Sequence, residues 1–210
     1  MRPRKFSGIG LIAIMVSLLL MLSLVLSYYP LPKIDLALVQ MIQGIGSTRT
    51  LWLMTLISAP GNLVPAAILV GVAMITVLFS PIKQAVVPLT MVMPADFMSF
   101  VLKDLINRPR PSEVLVNVHQ FLSDPGFPSS HVVHYTVFFG FLAYLFLKTK
   151  LLPKPLRIPL AVSACVLIAL IPFSRVYLGA HWPTDVIGGY LLGGSFLLMQ
   201  IRVYQKLTTY

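Results

Sequence analysis

Charge is what this sequence has least of. Only 10% of its 210 residues are Asp, Glu, Lys or Arg, against about 25% in soluble domains, which excludes a soluble monomer. The apolar fraction, 57%, excludes a disordered chain. There is one cysteine, Cys165, so no intramolecular disulfide can form; set inside an apolar run, it reads as a small buried hydrophobe. Neither internal repeats nor low-complexity tracts occur, and the length suits a single domain over residues 1–210. The sequence has no HExxH, no Cys/His pair at zinc spacing and no carboxylate cage, so neither a metal nor another cofactor is expected. Acids are scarcest of all, six against sixteen Lys and Arg, for a net charge of +10. Such a balance can signal nucleic-acid binding. Here the bases are scattered between apolar spans without forming a stripe, so nucleic acid is not an expected partner.

What is present is long hydrophobic runs. Mean hydropathy is +0.87, and six stretches approach the roughly 17–20 residues that a spanning helix needs. They are Ile9–Leu26, Leu63–Phe79, Val86–Leu102, Val132–Leu147, Leu160–Phe173 and Val186–Val203. The fold class expected is therefore an all-α membrane protein, six transmembrane helices in one bundle. Ile9–Leu26 is longer than a signal-peptide core and lacks a small-residue cleavage site after it, so it reads as an uncleaved first span. Between spans one and two, Ile34–Ile45 and Leu51–Ala59 are too short or too polar to cross, and they read as short interfacial helices.

Six spans place both termini on one side. That side receives Arg2, Arg4, Lys5, Lys83, Lys148, Lys150, Lys154, Arg157, Arg202 and Lys206, ten bases and no acid. The opposite side has six, Lys33, Arg49, Lys103, Arg108, Arg110 and Arg175. The positive-inside rule then makes both termini cytoplasmic; the plasma (inner) membrane of a bacterium is the location expected, though no residue pattern reads the organism.

Four of those six outer bases sit at the ends of spans three and five, against the charge gradient, and a cluster of cations with few acids calls for anions. Lys103 and Arg110-Pro111 lie in the first cluster. A second group, Phe127-Pro128-Ser129-Ser130-His131, opens an apolar span as a helix start with serine caps, and such a terminus binds phosphate readily. A third runs from Ser174-Arg175 to His181 and Asp185, four residues apart. An Asp accepting from one imidazole nitrogen fixes the tautomer and leaves the other nitrogen as a nucleophile or base.

Together these segments resemble the three motifs of the type 2 phosphatidic acid phosphatases (PAP2), related to vanadium haloperoxidases: K-x6-R-P, P-S-G-H and S-R-x5-H-x3-D. The resemblance extends from about Leu51 to Tyr204, with Ser130 where the family usually has glycine. Arg108 also precedes a proline, but its spacing from Lys103 is wrong, and Arg110 takes the family role. The resemblance implies a membrane phosphatase in which His181 attacks phosphorus to form a phosphohistidine, Asp185 orients it, and His131 protonates the leaving oxygen. Lys103, Arg110, Ser129, Ser130 and Arg175 would hold the phosphoryl oxygens. The substrate it implies is a lipid phosphate or diphosphate such as phosphatidic acid, phosphatidylglycerophosphate or an isoprenyl diphosphate, met on the non-cytoplasmic face. Two alternatives share the charge pattern: a lipid phosphotransferase using the same phosphohistidine, and a non-enzymatic anion transporter. No motif reads the lipid or the oligomeric state.

Other polar residues have plainer readings. His119 and His134 read as surface or packing residues. Asp96, seven residues before Lys103, shares its helix face and reads as a polar contact within the bundle. Gly189 and Gly193 read as a close helix contact. The aromatic run Tyr135, Phe138, Phe139, Phe141, Tyr144 and Phe146 covers too many angles to be one stripe, so much of it is expected to face lipid.

Overall fold

The structure, a computed structural model, describes residues 8–150 and 152–208. Arg2, Arg4 and Lys5 of the charge count lie outside the described residues. All regular structure among the described residues is helical: α1 (Gly8–Tyr28), α2 (Lys33–Gln43), α3 (Thr48–Ser58), α4 (Leu63–Leu78), α5 (Val86–Thr90), α6 (Val92–Ile106), α7 (Ser130–Lys148), α8 (Lys154–Tyr177) and α9 (Pro183–Thr208).

Among the described residues, five segments are long and apolar enough to cross a membrane: α1, the Lys83–Ile106 stretch containing α5 and α6, α7, α8 and α9. The expected second span behaves differently. α4 is 16 residues long, and a 3-10 turn at Ala59–Gly61 joins it to α3 at a bend of 53°, giving a sixth candidate only if the bent pair counts as one. Pro60 and Gly61 explain the break, since proline lacks the N–H and glycine favours non-helical backbone. Leu51–Ala59 is thus largely the first arm of this bent pair. The third span is interrupted at Met91. Pro94 removes the N–H that an unbroken helix would direct to the Thr90 carbonyl.

α7 is the centre of the bundle, packed against α6, α8 and α9, while α1 lies along α9 and α3 along α8. This corrects the reading of the aromatic run. Tyr135, Phe138 and Phe141 are fully buried, and Phe139, Tyr144 and Phe146 are partly buried, because neighbours cover α7 on every side. Cys165 is also corrected: it is exposed on the outer face of α8. The glycine contact is as expected. A Cβ on Gly189 would come 2.8 Å from Val132 Cβ and one on Gly193 2.9 Å from Thr136 Cβ, so α9 lies directly on α7. That contact brings the start of α9 beside the start of α7, and Ser129 N–H donates to the Asp185 carbonyl at 3.0 Å.

Candidate active site

Three chain segments converge at one end of the bundle. α6 ends at Asn107, whose left-handed conformation (φ 45°) turns the chain into the loop towards α7, and its N–H bonds the Lys103 carbonyl at 2.8 Å. α8 runs further than the apolar pattern alone suggests and carries Ser174 and Arg175 in its last turns. The α8–α9 connection is tight. Gly179 has φ 67°, and a Cβ there would stand 2.3 Å from the Asn117 carbonyl oxygen, so only glycine fits. The Ala180 and His181 N–H groups fold back onto the Arg175 carbonyl at 3.1 and 3.3 Å, which aims the His181 ring inward.

His181 is buried, with Nε2 3.1 Å from Arg110 NH1 and Nδ1 3.4 Å from Asp185 Oδ2. A guanidinium can only donate, so Nε2 must present its lone pair and Nδ1 must carry the proton facing Asp185. Burial, followed by the nearby charges of Arg110, Lys103 and Arg175, holds the His181 imidazole well below its ordinary value of 6.5. Both causes disfavour the imidazolium, so the ring stays neutral at pH 7 and protonates only well below pH 6.5.

The expected cations gather around it. Lys103 Nζ lies 3.0 Å from Asp124 Oδ2 and donates to the Pro125 carbonyl at 2.5 Å. Arg110 bonds the Ala180 carbonyl at 2.5 Å and Asp124 Oδ1 at 2.8 Å. Burial lowers the Arg110 pKa, while Asp124 opposes the shift. Burial also raises the Asp124 carboxyl, but Lys103 and Arg110 outweigh it and leave it below 3.8. Arg175 is fully buried, with NH1 on Ser58 Oγ at 2.5 Å and Gln120 Oε1 at 2.7 Å, while its Nε and NH2 have no hydrogen-bond partner among the described residues. Ser129 Oγ is likewise buried without a partner among the described residues.

The serine caps differ from the expectation. Ser129 occupies the N-cap position of α7 but its hydroxyl makes no capping bond. Ser130 Oγ is 2.9 Å from Ser99 Oγ on α6. The first-turn N–H groups of α7, like those of any helix start, lack intrahelical acceptors and suit an anion. His131 sits in that turn with Nε2 3.3 Å from Asn62 Oδ1, and a Cβ on Gly61 would approach its ring to 2.5 Å. The α3–α4 bend is therefore a wall beside His131.

His134 is buried as a packing residue, bonded through Nδ1 to Asp96 Oδ2 at 2.9 Å, which gives Asp96 the polar contact expected of it. His119 is exposed and stacks on Tyr177.

The reading of the sequence missed several residues here. Asp124 bridges two cations, and Ser58 and Gln120 hold a third. Arg108, given no role, is completely buried and ion-paired to Asp185 and to Asp35 of α2. One signal for Asp35 was available: a carboxylate inside an otherwise apolar helix needs a buried partner.

The PAP2 superfamily pattern matches residues 84–209, more than half of the chain and all of the motif residues above. The chain belongs to the PAP2 superfamily. Among its relatives, the lipid phosphate phosphatase delta of Arabidopsis thaliana is 31% identical over 120 residues, 53% of this chain and 29% of that protein. Phosphatidylglycerophosphatase B of Bacillus subtilis is 37% identical over 93 residues, 44% of each chain. The chain thus spans less than half the length of these two relatives. The crystal structure of a transmembrane PAP2-type phosphatidylglycerolphosphate phosphatase from Bacillus subtilis superposes with a TM-score of 0.79 at 24% identity, covering 93% of this chain and 98% of that one. That likeness establishes the fold. With at least five helices able to cross a bilayer, this PAP2 protein is a multi-pass integral membrane protein.

Proposed function

We propose that this PAP2 protein is a metal-independent phosphatase that hydrolyses a membrane lipid phosphate or diphosphate through a phosphohistidine on His181. The observation that carries this reading is the state of His181, a neutral imidazole whose lone pair at Nε2 lies among Arg110, Lys103 and Arg175. Nε2 attacks phosphorus as the P–O bond to the leaving group breaks, and the ring charge that develops is met by Asp185 at Nδ1. His131 donates its proton to the leaving oxygen. It then takes a proton from the water that attacks the phosphohistidine, releasing inorganic phosphate and restoring His181. Charge on the transferring phosphoryl group is met by Arg175, Lys103 and Arg110, by Ser129 Oγ and by the N–H groups opening α7. This is the role a divalent ion fills in kinases. The relatives named as lipid phosphatases support a lipid substrate, with phosphatidic acid, phosphatidylglycerophosphate and isoprenyl diphosphates as candidates.

Purified protein in detergent with excess EDTA is expected to release phosphate from at least one of these lipids, and vanadate, which mimics the five-coordinate transition state, is expected to inhibit it. Activity lost to EDTA and restored by Mg²⁺ or Zn²⁺ overturns the metal-free mechanism.

The charge asymmetry of the sequence supports an active site on the non-cytoplasmic face. In a Cys165→Ala background, a cysteine at position 117 is expected to react with an impermeant thiol reagent in intact cells and one at position 152 to be protected. The reverse pattern inverts the topology.

A further inference from the structure

Arg108 lies two residues past the end of α6, where the left-handed Asn107 turns the chain and directs the guanidinium into the protein. No atom of its side chain is exposed, and neither are those of Asp35 and Asp185. Four of its five N–H donors are committed. Nε bonds the Pro30 carbonyl at 2.7 Å, NH1 bonds Thr184 Oγ1 at 2.7 Å and Asp185 Oδ1, and NH2 bonds Asp35 Oδ2 at 2.6 Å. Asp35 reaches the same point from the other side, accepting from Thr184 N at 2.9 Å and from Thr184 Oγ1 at 2.5 Å.

The two oxygens of Asp185 therefore do different things. Oδ1 is taken by Arg108, while Oδ2 accepts from the Trp182 N–H at 2.9 Å and faces His181 Nδ1. Held at Oδ1 by Arg108 and at Oδ2 by the Trp182 N–H, the carboxylate is restrained from both oxygens, and Oδ2 stays aimed at the imidazole. The cluster of two carboxylates and one guanidinium carries a net charge of −1 beside a ring that becomes positive when Nε2 bonds to phosphorus. Removing the guanidinium would leave two carboxylates buried together, which is costly, and the simplest relief is protonation or rotation of one of them.

We propose that Arg108, held in place by Asp35 of α2, is a positioning residue that fixes Asp185 and thereby keeps Nδ1 of His181 protonated and Nε2 as the nitrogen that receives the phosphoryl group. This makes α2 part of the catalytic assembly. The inference rests on the reading of His181 as nucleophile.

The test is a double-mutant cycle on the rate of phosphoenzyme formation, measured by rapid quench with labelled lipid phosphate, alongside KM and thermal unfolding in detergent. Arg108→Gln is expected to slow phosphoenzyme formation roughly 10- to 100-fold, a loss of the size that follows removal of a residue orienting a metal's histidine ligand, with little change in KM. Adding Arg108→Gln to Asp185→Asn is expected to slow the reaction no further, because both act through one carboxylate. Arg108→Lys should recover thermal stability better than rate, since an ammonium can neutralise a carboxylate without holding both acids in plane. NMR of the trapped phosphohistidine should show phosphate on Nε2 in the wild type and a share on Nδ1 in Arg108→Gln.

If Arg108→Gln does not fold, Asp35→Asn carries the same cycle with Asp185→Asn, again with a non-additive loss expected. Losses that multiply, or a loss wholly in KM, would show that the cluster is only a brace for the fold and overturn the proposal. Should the wild type form no phosphohistidine, the reading of His181 fails instead, and the two failures are distinguishable.

Discussion

His181→Ala is expected to form no phosphoenzyme from any substrate, while His131→Ala forms one at a rate set by the leaving group. The difference follows from where each ring stands. His181 Nε2 is in contact with Arg110, whereas His131 Nε2 faces Asn62 on the opposite wall, at the α3–α4 bend. Without a nucleophile there is no first step, whatever leaves. Without the acid, the loss depends on how badly the departing oxygen needs a proton, roughly 10²- to 10⁴-fold for a lipid alkoxide and about tenfold or less for a nitrophenolate. In the proposed mechanism, microscopic reversibility makes His131 the group that activates water in the second step as well. His131→Ala supplied with nitrophenyl phosphate should therefore give a burst of one nitrophenolate per site, accumulate phosphohistidine and then turn over slowly. Rapid-quench measurements on both variants check this. A phosphoenzyme in His181→Ala, or equal losses for both leaving groups in His131→Ala, means that the two roles are misassigned.

The parts of the site legible in the sequence are those whose geometry is local. His181 and Asp185 are paired across a single helix start, and Lys103 and Arg110 are fixed by the end of α6, so short spacings carried them. The helices were legible for the same reason: apolar runs are uninterrupted except where Pro60, Gly61 and Pro94 break them. What could not be read is what depends on which helix lies beside which. The aromatic run on α7 looks the same whether it meets lipid or protein, and only the central position of α7 decides the matter. Arg108 and Asp35 are 73 residues apart, and although the spacing from Lys103 gives Arg110 its place in the motif, nothing local says where the Arg108 guanidinium goes. The distinction comes from the left-handed turn at Asn107, which sends one guanidinium behind Asp185 and the other in front of His181.

Asp124→Asn is expected to tighten inhibition by inorganic phosphate about tenfold, which corresponds to roughly 1.4 kcal/mol. The carboxylate lies across two of the three cations, Oδ2 at 3.0 Å from Lys103 Nζ and Oδ1 at 2.8 Å from Arg110 NH2, much as two phosphoryl oxygens would. With its pKa below 3.8 it remains ionised at neutral pH, and its pairing is lost only as pH falls through that lowered value. A phosphoryl group can reach both cations only by displacing it. Displacement is feasible because the Asp124 side chain is 44% exposed and can turn towards solvent. That exposure also screens the pair, which is why the expected gain is modest compared with a fully buried charge. The counter-ion favours departure of phosphate as much as it hinders entry of substrate. The asparagine variant should therefore bind lipid substrate with a lower KM and release product more slowly, so that kcat falls if release limits turnover. Both effects should shrink as ionic strength rises. Inhibition constants for phosphate, measured over a range of salt, are the readout. Weaker phosphate binding in Asp124→Asn would show that the carboxylate holds Lys103 and Arg110 in place for the substrate and does not compete with it.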